Sequence, residues 1–419
     1  MSNSTPGTIG SALRHRPFRH LLFALAVSEA GDWLYNLALI ALVFGRTHSA
    51  TWLGATTAAR VIPIVVLGPV GGLIASRYNR RQVMMCCDAV RLLLMLALAA
   101  VGAFGGPVVL APVIAAAASV AATPYGPCVA ATTPRLVPNN DLPGANAARS
   151  AVTQTCVVGA PAIGAVLLLL GSPSLAIALN ALSFGISAIA VLSVRQQTAF
   201  VPARRDNSRT SVLHELGSGF SALRTQRETL RLVSADIMCS AVYGTLTVLL
   251  VVVSRHLGLG TAGYGYLLAG FGAGGVSATL LAGRLARLRN TRMVVFCALL
   301  TVALPLPVVA AAGSPFVAAA FAMISGAGSV SVEILAETAL QRYLPDDVFA
   351  RAYGFALPAS LAGIVVGGLI APTLLTLSGV TGAFVIVAAA VVAYAVLFVV
   401  RPAKRQPSIA PANAVARFS

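Results

Sequence analysis

Six acidic residues stand inside apolar stretches of this 419-residue chain: Glu29, Asp32, Asp88, Asp236, Glu333 and Glu337. If those stretches lie in lipid, each charge costs about 2.5 to 3.5 kcal/mol on insertion scales, so each needs a reason to be there. The available reasons are reversible protonation, pairing with a cation, or contact with a cationic ligand. Glu29 and Asp32 are three apart and share a helix face. Counting helix rise, Asp32 lies about 20 Å beyond Arg19, and Arg60 lies about 24 Å before Ser76. The two depths agree, and an Asp32 to Arg60 ion pair is expected. Asp88 and Arg91, also three apart, are expected to form a latch beside the basic turn that precedes them. Glu333 and Glu337 are four apart on one face. Glu337 is expected to meet Gln341, Arg342 or water. Glu333 lies a turn deeper and, with Asp236, is a further candidate for taking a proton. The five histidines (His15, His20, His48, His214, His256) fall at the ends of apolar runs or between them, which leaves proton chemistry to the carboxylates. Trp33, Tyr35 and Tyr243 could offer aromatic surface to an apolar or cationic ligand.

The elements that must carry these residues are set by composition. Hydrophobic residues make up 58% of the chain and charged ones 10%, against about 25% charged in soluble domains, and mean hydropathy is +0.86. So few charges cannot cover a soluble surface, which excludes a cytosolic enzyme, a secreted protein and a disordered chain. Apolar runs punctuated by Gly, Pro and Arg predict twelve helices, roughly 18–44, 52–76, 82–104, 107–132, 147–170, 173–194, 230–254, 263–285, 292–312, 315–340, 352–377 and 381–400. About 20 residues suffice to cross a bilayer, so the fold class is an all-α membrane protein of twelve spans. Net charge is +17, from 29 Lys and Arg against 12 Asp and Glu. Of the 29, 25 fall in segments on one side, Arg46 and Arg255 on the other, and Arg60 and Arg91 within helices. This asymmetry is the positive-inside pattern, which predicts that both termini are cytoplasmic, and nucleic acid is not needed to explain it. The polar start runs into an apolar stretch too long for a cleaved signal, so the first helix is expected to stay. The six cysteines lack metal-ligand spacing, and neither zinc nor a structural disulfide is expected.

The chain repeats. Gly72 to Arg81 (GLIASRYNRR) and Gly283 to Arg292 (GRLARLRNTR) both end the second helix of six, and Arg135 to Asp141 and Arg342 to Val348 both follow the fourth. Nearly equal offsets at equivalent positions argue for two parallel six-helix repeats facing a central cavity. The expected division is 1–194, a cytoplasmic linker 195–229, 230–400, and a tail 401–419. In the linker, Val212, Leu213, Leu216, Phe220 and Leu223 recur at helical spacing beside Arg209, Arg224 and Arg227, as in a helix lying on an anionic membrane surface.

The turn after the second helix resembles the signature of the major facilitator superfamily, G-x-x-x-D-R-x-G-R-R: Gly72, Arg77, Arg80 and Arg81 match, while Ser76 stands for the acid and Asn79 for the second glycine. The stretches LGATTAARVIPIVVLGPVGGLIASRYNRRQVMMCCDAVR, PRLVPNNDLPGANAARS and LQRYLPDDVFARAYG resemble the macrolide and siderophore exporters among its proton-driven drug antiporters. The fifth helix, CVVGAPAIGA, keeps Pro161 and Gly164 of the exporter pattern G-x-x-x-G-P-x-x-G-G, with Cys156, Ala160 and Ala165 in place of glycines. The resemblance implies a secondary transporter of the inner membrane that exports amphipathic small molecules by alternating access against protons. An uptake symporter or facilitator on the same fold is the alternative. On this reading Asp32, Glu29, Arg60, Asp236 and Glu333 are candidates for coupling and substrate binding, and Gly72, Arg77, Arg80, Arg81, Asp88 and Arg91 for the inner gate. The expected partners are a small-molecule substrate, protons and lipid, with the protein a monomer and no cofactor. With no H-E-x-x-H and no phosphate loop, an enzyme or ATP-driven pump is not expected.

Overall fold

The structure, a computed structural model, describes residues 7–170, 172–202, 217, 220–221, 224, 227–259, 263–285 and 290–400. A one-turn helix, α1 (Ile9–Ala12), leads into α2 (Arg16–Thr47), α3 (Ala50–Arg77), α4 (Arg80–Ala103), α5 (Leu110–Ala122), α6 (Tyr125–Leu136), α7 (Leu142–Leu170) and α8 (Pro173–Leu192). The second group is α9 (Arg227–His256), α10 (Gly263–Leu285), α11 (Thr291–Ala303), α12 (Leu306–Ala311), α13 (Pro315–Tyr343) and α14 (Asp346–Val400). Among the described residues, nine helical stretches are long and apolar enough to cross a bilayer, the last of them, Val348–Val399, with length for two crossings.

Each of the twelve expected spans falls on helix, and the departures have local causes. The fourth is broken between α5 and α6 at Thr123 and Pro124, and the ninth between α11 and α12 at Leu304 and Pro305. Proline has no N–H to continue the ladder, and its ring crowds the preceding turn. The last two spans run together as α14, which turns at Gly379, where φ is 67°. Glycine alone adopts that backbone without steric cost. Val212, Leu213, Leu216, Leu223 and Arg209 of the expected surface helix, and the tail 401–419, lie outside the described residues. Phe220 is exposed, its ring 5.9 Å from that of Phe355.

The two ends of the bundle are built differently. At the end where α2 begins and α3 finishes, one core joins both groups: Phe18, Leu21, Met84, Val129 and Leu142 of the first with Val233, Leu340, Phe349 and Ala350 of the second. At the opposite end Tyr35, Leu39, Met95, Leu98, Ile177 and Phe184 form a core from the first group alone. The second group has its own core around Leu249, Leu299, Val302 and Phe384.

Close backbone approach draws the terminal end together. A Cβ on Gly72 of α3 would stand 2.4 Å from the Ala350 carbonyl oxygen of α14, and one on Gly68 would stand 2.0 Å from Pro358 Cγ. Real Cβ atoms do not come that close, so only glycine permits the crossing there.

Residues 7–15 strap this end from outside. Gly7 N–H donates to Asn140 O (2.6 Å), Ser11 Oγ donates to Asp141 Oδ1 (2.7 Å), and His15 Nε2 lies 2.9 Å from Asp141 Oδ2. Ile9 packs against the small cluster of Ala147, Ala278, Val330 and Ile334, which both groups contribute.

Candidate functional site

Between the groups lies a cavity of about 350 Å³. Its first-group lining comes from α2 (Ser28, Glu29), α4 (Arg91), α6 (Tyr125, Val129) and α7 (Arg149, Ser150), and its second-group lining from α13 (Glu333, Glu337) and α14 (Tyr353, Leu357, Leu361). Apolar walls carrying a few convergent charges are what a small-molecule site needs.

The floor is a polar bridge. Arg149 of α7 pairs with Glu337 of α13, each side chain 11% exposed. One turn away Asn146 Nδ2 donates to Thr338 Oγ1 (3.0 Å) and Gln341 Oε1 (2.6 Å), and Gln341 Nε2 donates to Ala130 O (3.3 Å). Ser150 Oγ donates to Glu333 Oε1 (3.1 Å). Arg342 Nη2 donates to Asn139 O (3.2 Å). Among the described residues, these bonds between the two groups all lie toward the terminal end.

The cations of the cavity are both committed. Arg149 belongs to Glu337, while Arg91 pairs with Asp32, lies 3.4 Å from Ser28 Oγ and rests on the Phe184 ring, 3.9 Å from its centroid. The acids are not all committed. Glu333 holds the Ser150 hydroxyl, and Glu29, half-buried on the cavity wall, has no hydrogen-bond or ion-pair partner among the described residues.

Several expectations are corrected. Asp32 of α2 pairs with Arg91 of α4 and not with Arg60. Arg60 instead donates to Asn36 Oδ1, one turn further along α2, and lies 5.0 Å from the Tyr35 ring centroid. Asp88 is no latch on the basic turn. It lies eight residues into α4 from Arg80, about 12 Å along the axis, and accepts from Ser187 Oγ of α8 at 2.8 Å. Arg91 stands a turn deeper still.

Arg80 is fully buried, donating to Ala75 O (3.2 Å) and Ala131 O (2.9 Å), and Arg81 donates to Leu192 O. These bonds pin the turn to its own group, and Arg77 is exposed. Gly72 meets the second group directly, at Ala350 of α14. Asp236 of α9 accepts from Ser360 Oγ of α14 (2.6 Å), apart from the cavity lining. Pro161 and Gly164 lie on the continuous α7, and their side chains are outside those described.

Arg149, Asn146, Ser150 and Tyr353 are the contacts that sequence reasoning passed over. A helix starting at 147 leaves Arg149 in its first turn, where it counts with the charges at the membrane surface, whereas α7 begins five residues earlier and carries it inward. The signal was the spacing of Asn146, Arg149 and Ser150, three and four apart on one helical face.

This architecture, two six-helix groups around a central charged cavity, is that of the major facilitator transporters. Two solved structures match across nearly their whole length: a bacterial homologue of the iron transporter ferroportin in an outward-facing state (TM-score 0.72, 16% identity, 91% of this chain and 98% of that one) and the human organic anion transporter MFSD10 (TM-score 0.74, 14% identity, 91% and 99%). The sequence model of the transmembrane secretion effector family matches residues 8–416, and the chain belongs to that family.

Curated relatives are distant. The uncharacterized MFS-type transporter YfiS of Bacillus subtilis is 24% identical over 49% of this chain, which spans about half that relative's length (48%). The putative bacilysin exporter BacE of Bacillus amyloliquefaciens is 25% identical over 69% of this chain and 71% of its own. Macrolide efflux protein A of Streptococcus pyogenes is 23% identical over 56% and 58%. The protein is thus a multi-pass membrane transporter and not an enzyme.

Proposed function

We propose that the protein exports an amphipathic small molecule bearing a cationic group, in exchange for protons, by alternating access between halves 1–194 and 230–400. The observation that carries this reading is the uneven commitment of charge in the cavity. Arg91 and Arg149 are each held by an acid, whereas Glu29 of the first half and Glu333 of the second face the same space with no ion pair among the described residues. A carboxylate in a dry site binds either a proton or the ammonium of a substrate, and one group that cannot hold both exchanges them. Coupling is therefore assigned to Glu29 and Glu333, with Asp32 holding Arg91 in place. Leu357, Leu361 and Val129 would take the apolar part of the substrate.

Export is the direction favoured by the family's description and by two relatives named for efflux. The positive-inside count puts the termini, and with them the closed end of the cavity, in the cytoplasm. Pro161 and Gly164 are read as the bend and close-packing point of an exporter's fifth span. The working unit is taken to be a monomer in the inner membrane. Inside-out vesicles with an acidified lumen test the proposal with a panel of cationic and neutral dyes and macrolides. Uptake of the cationic members, with substrate-dependent proton release, is the expected result. Accumulation that ignores the pH gradient would make the protein a facilitator and end the antiport reading.

A further inference from the structure

The first half buries one carboxylate that the cavity does not see. Asp88 is fully buried; its Oδ2 accepts from Ser187 Oγ at 2.8 Å, and its Oδ1 has no partner among the described residues. Ser187 Oγ lies 3.1 Å from Tyr125 Oη, and Tyr125 lines the cavity. Three oxygen atoms from α4, α8 and α6 thus form an unbroken hydrogen-bonded chain from Tyr125, a residue of the cavity wall, to an enclosed acid. A carboxylate buried with one oxygen unpaired costs more as an anion than as a neutral acid.

We propose that Asp88 is a proton-storage site of the transport cycle, filled and emptied through Tyr125 and Ser187. The proposal rests on the proton-coupled reading above. In the filling step a proton from cavity water binds Tyr125 Oη as that oxygen passes its own hydrogen to Ser187 Oγ. Ser187 in turn passes its hydrogen to Asp88 Oδ2. Three O–H bonds break, the first in the hydronium ion of the cavity water that supplies the proton, and three form; that hydronium becomes water, Tyr125 and Ser187 end as they began, and Asp88 gains one proton. Rotation of the two hydroxyls resets the chain, and emptying runs it backward.

The neighbours give the stored proton a mechanical outlet. The groups facing Asp88 are Cys87 and Arg91 on its own helix, Asp32 on α2, Tyr125 on α6 and Ser187 on α8. Arg91 is the one cation among them, and it is already bonded to Asp32. Ionised, Asp88 competes with Asp32 for Arg91; neutral, it leaves Arg91 wholly to Asp32. Proton occupancy at Asp88 therefore sets how tightly α4 holds α2, the helix that carries Glu29.

The test uses the full-length protein in proteoliposomes and two assays, proton-driven accumulation and exchange at equal pH, with a lipophilic cationic dye as the transported probe. Asp88→Asn keeps size and the acceptor for Ser187, while Tyr125→Phe and Ser187→Ala cut the chain and leave the acid. Each is expected to lower proton-driven accumulation about tenfold, the scale of one lost hydrogen bond to a charged group, with exchange in Asp88→Asn and Ser187→Ala, which stand outside the cavity lining, within about twofold of wild type. Infrared difference spectra across a pH jump should show a carboxylic C=O band that Asp88→Asn lacks and that forms more slowly in Tyr125→Phe. Wild-type accumulation in Asp88→Asn, or in both chain-cutting variants, overturns the proposal. If Asp88→Asn fails to fold, an unaltered rate of band formation in the other two variants overturns it as well. A wild-type protein that moves substrate without moving protons would sink the antiport reading itself, a separate and earlier result.

Discussion

The two halves share a plan but divide the charges unequally. Among the described residues, both cavity cations, Arg91 and Arg149, and the acid Glu29 come from the first half, with Asp32 and Asp88 behind the lining, whereas the charges that the second half brings to the lining are the acids Glu333 and Glu337. A symmetric cavity would have each half satisfy its own charges. Here the first half settles one cation internally, at Asp32, and lends the other across the seam to Glu337. The difference teaches that the seam is closed by complementarity between unlike halves, on top of an apolar core they share.

Breaking the loan should have the largest effect. Arg149→Ala leaves Glu337 buried without its cation, and removing one member of a buried pair costs about 3 to 5 kcal/mol. Opening of the terminal end should follow, read as faster labelling of a cysteine placed at Ala147 and as loss of transport. The charge swap Arg149→Glu with Glu337→Arg should recover most of the closure, and failure to do so would mean that the pair is incidental to the seam. Gly72→Ala comes next. Its new methyl would meet the Ala350 carbonyl, and overpacking of this kind costs about 1 to 3 kcal/mol. Gly126→Ala, whose Cβ would find its nearest neighbour at 3.6 Å, is the matched control and should leave labelling unchanged. Equal effects of the two would remove the close-approach argument.

Asn146→Ala should cost about 1 to 3 kcal/mol, since it takes partners from buried Thr338 and Gln341. The same labelling assay and a thermal melt in detergent would read it. The smallest effect is expected at Arg60. Its bonds are to a neutral amide and a tyrosine face, contacts of about 0.5 to 1 kcal/mol, so Arg60→Gln should shift the melting temperature little and leave proton coupling intact. A loss as large as that of Arg149→Ala would restore Arg60 to the coupling machinery.

The spans were legible in the sequence because lipid leaves a backbone no partner except its own helix, so length and apolarity nearly suffice to locate them. The pairing of charges was not legible. Asp32 and Arg60 do lie at matching depths, but depth ignores rotation about the helix axis, and the sequence gives no reading of how α2 is turned. A short connection brings α2 and α3 together where they join, yet α2 packs most extensively on α8 and α7. That arrangement sends Asp32 to α4 and leaves Asn36 for Arg60. Glu337 shows a second case: it was expected to meet Gln341, Arg342 or water, whereas it pairs with Arg149, a partner hidden by a helix start misjudged by five residues.

The strap at residues 7–15 also bears on how the molecule can be handled. Ile9 sits on a cluster drawn from both halves, and Gly7 is bonded to the turn that leads into α7. A fluorophore attached at Thr8 would therefore ride on the joint itself and report its opening as a change of environment. For the same reason an affinity tag fused directly to this segment is a wedge at the joint, and a spacer between them is part of any sound design.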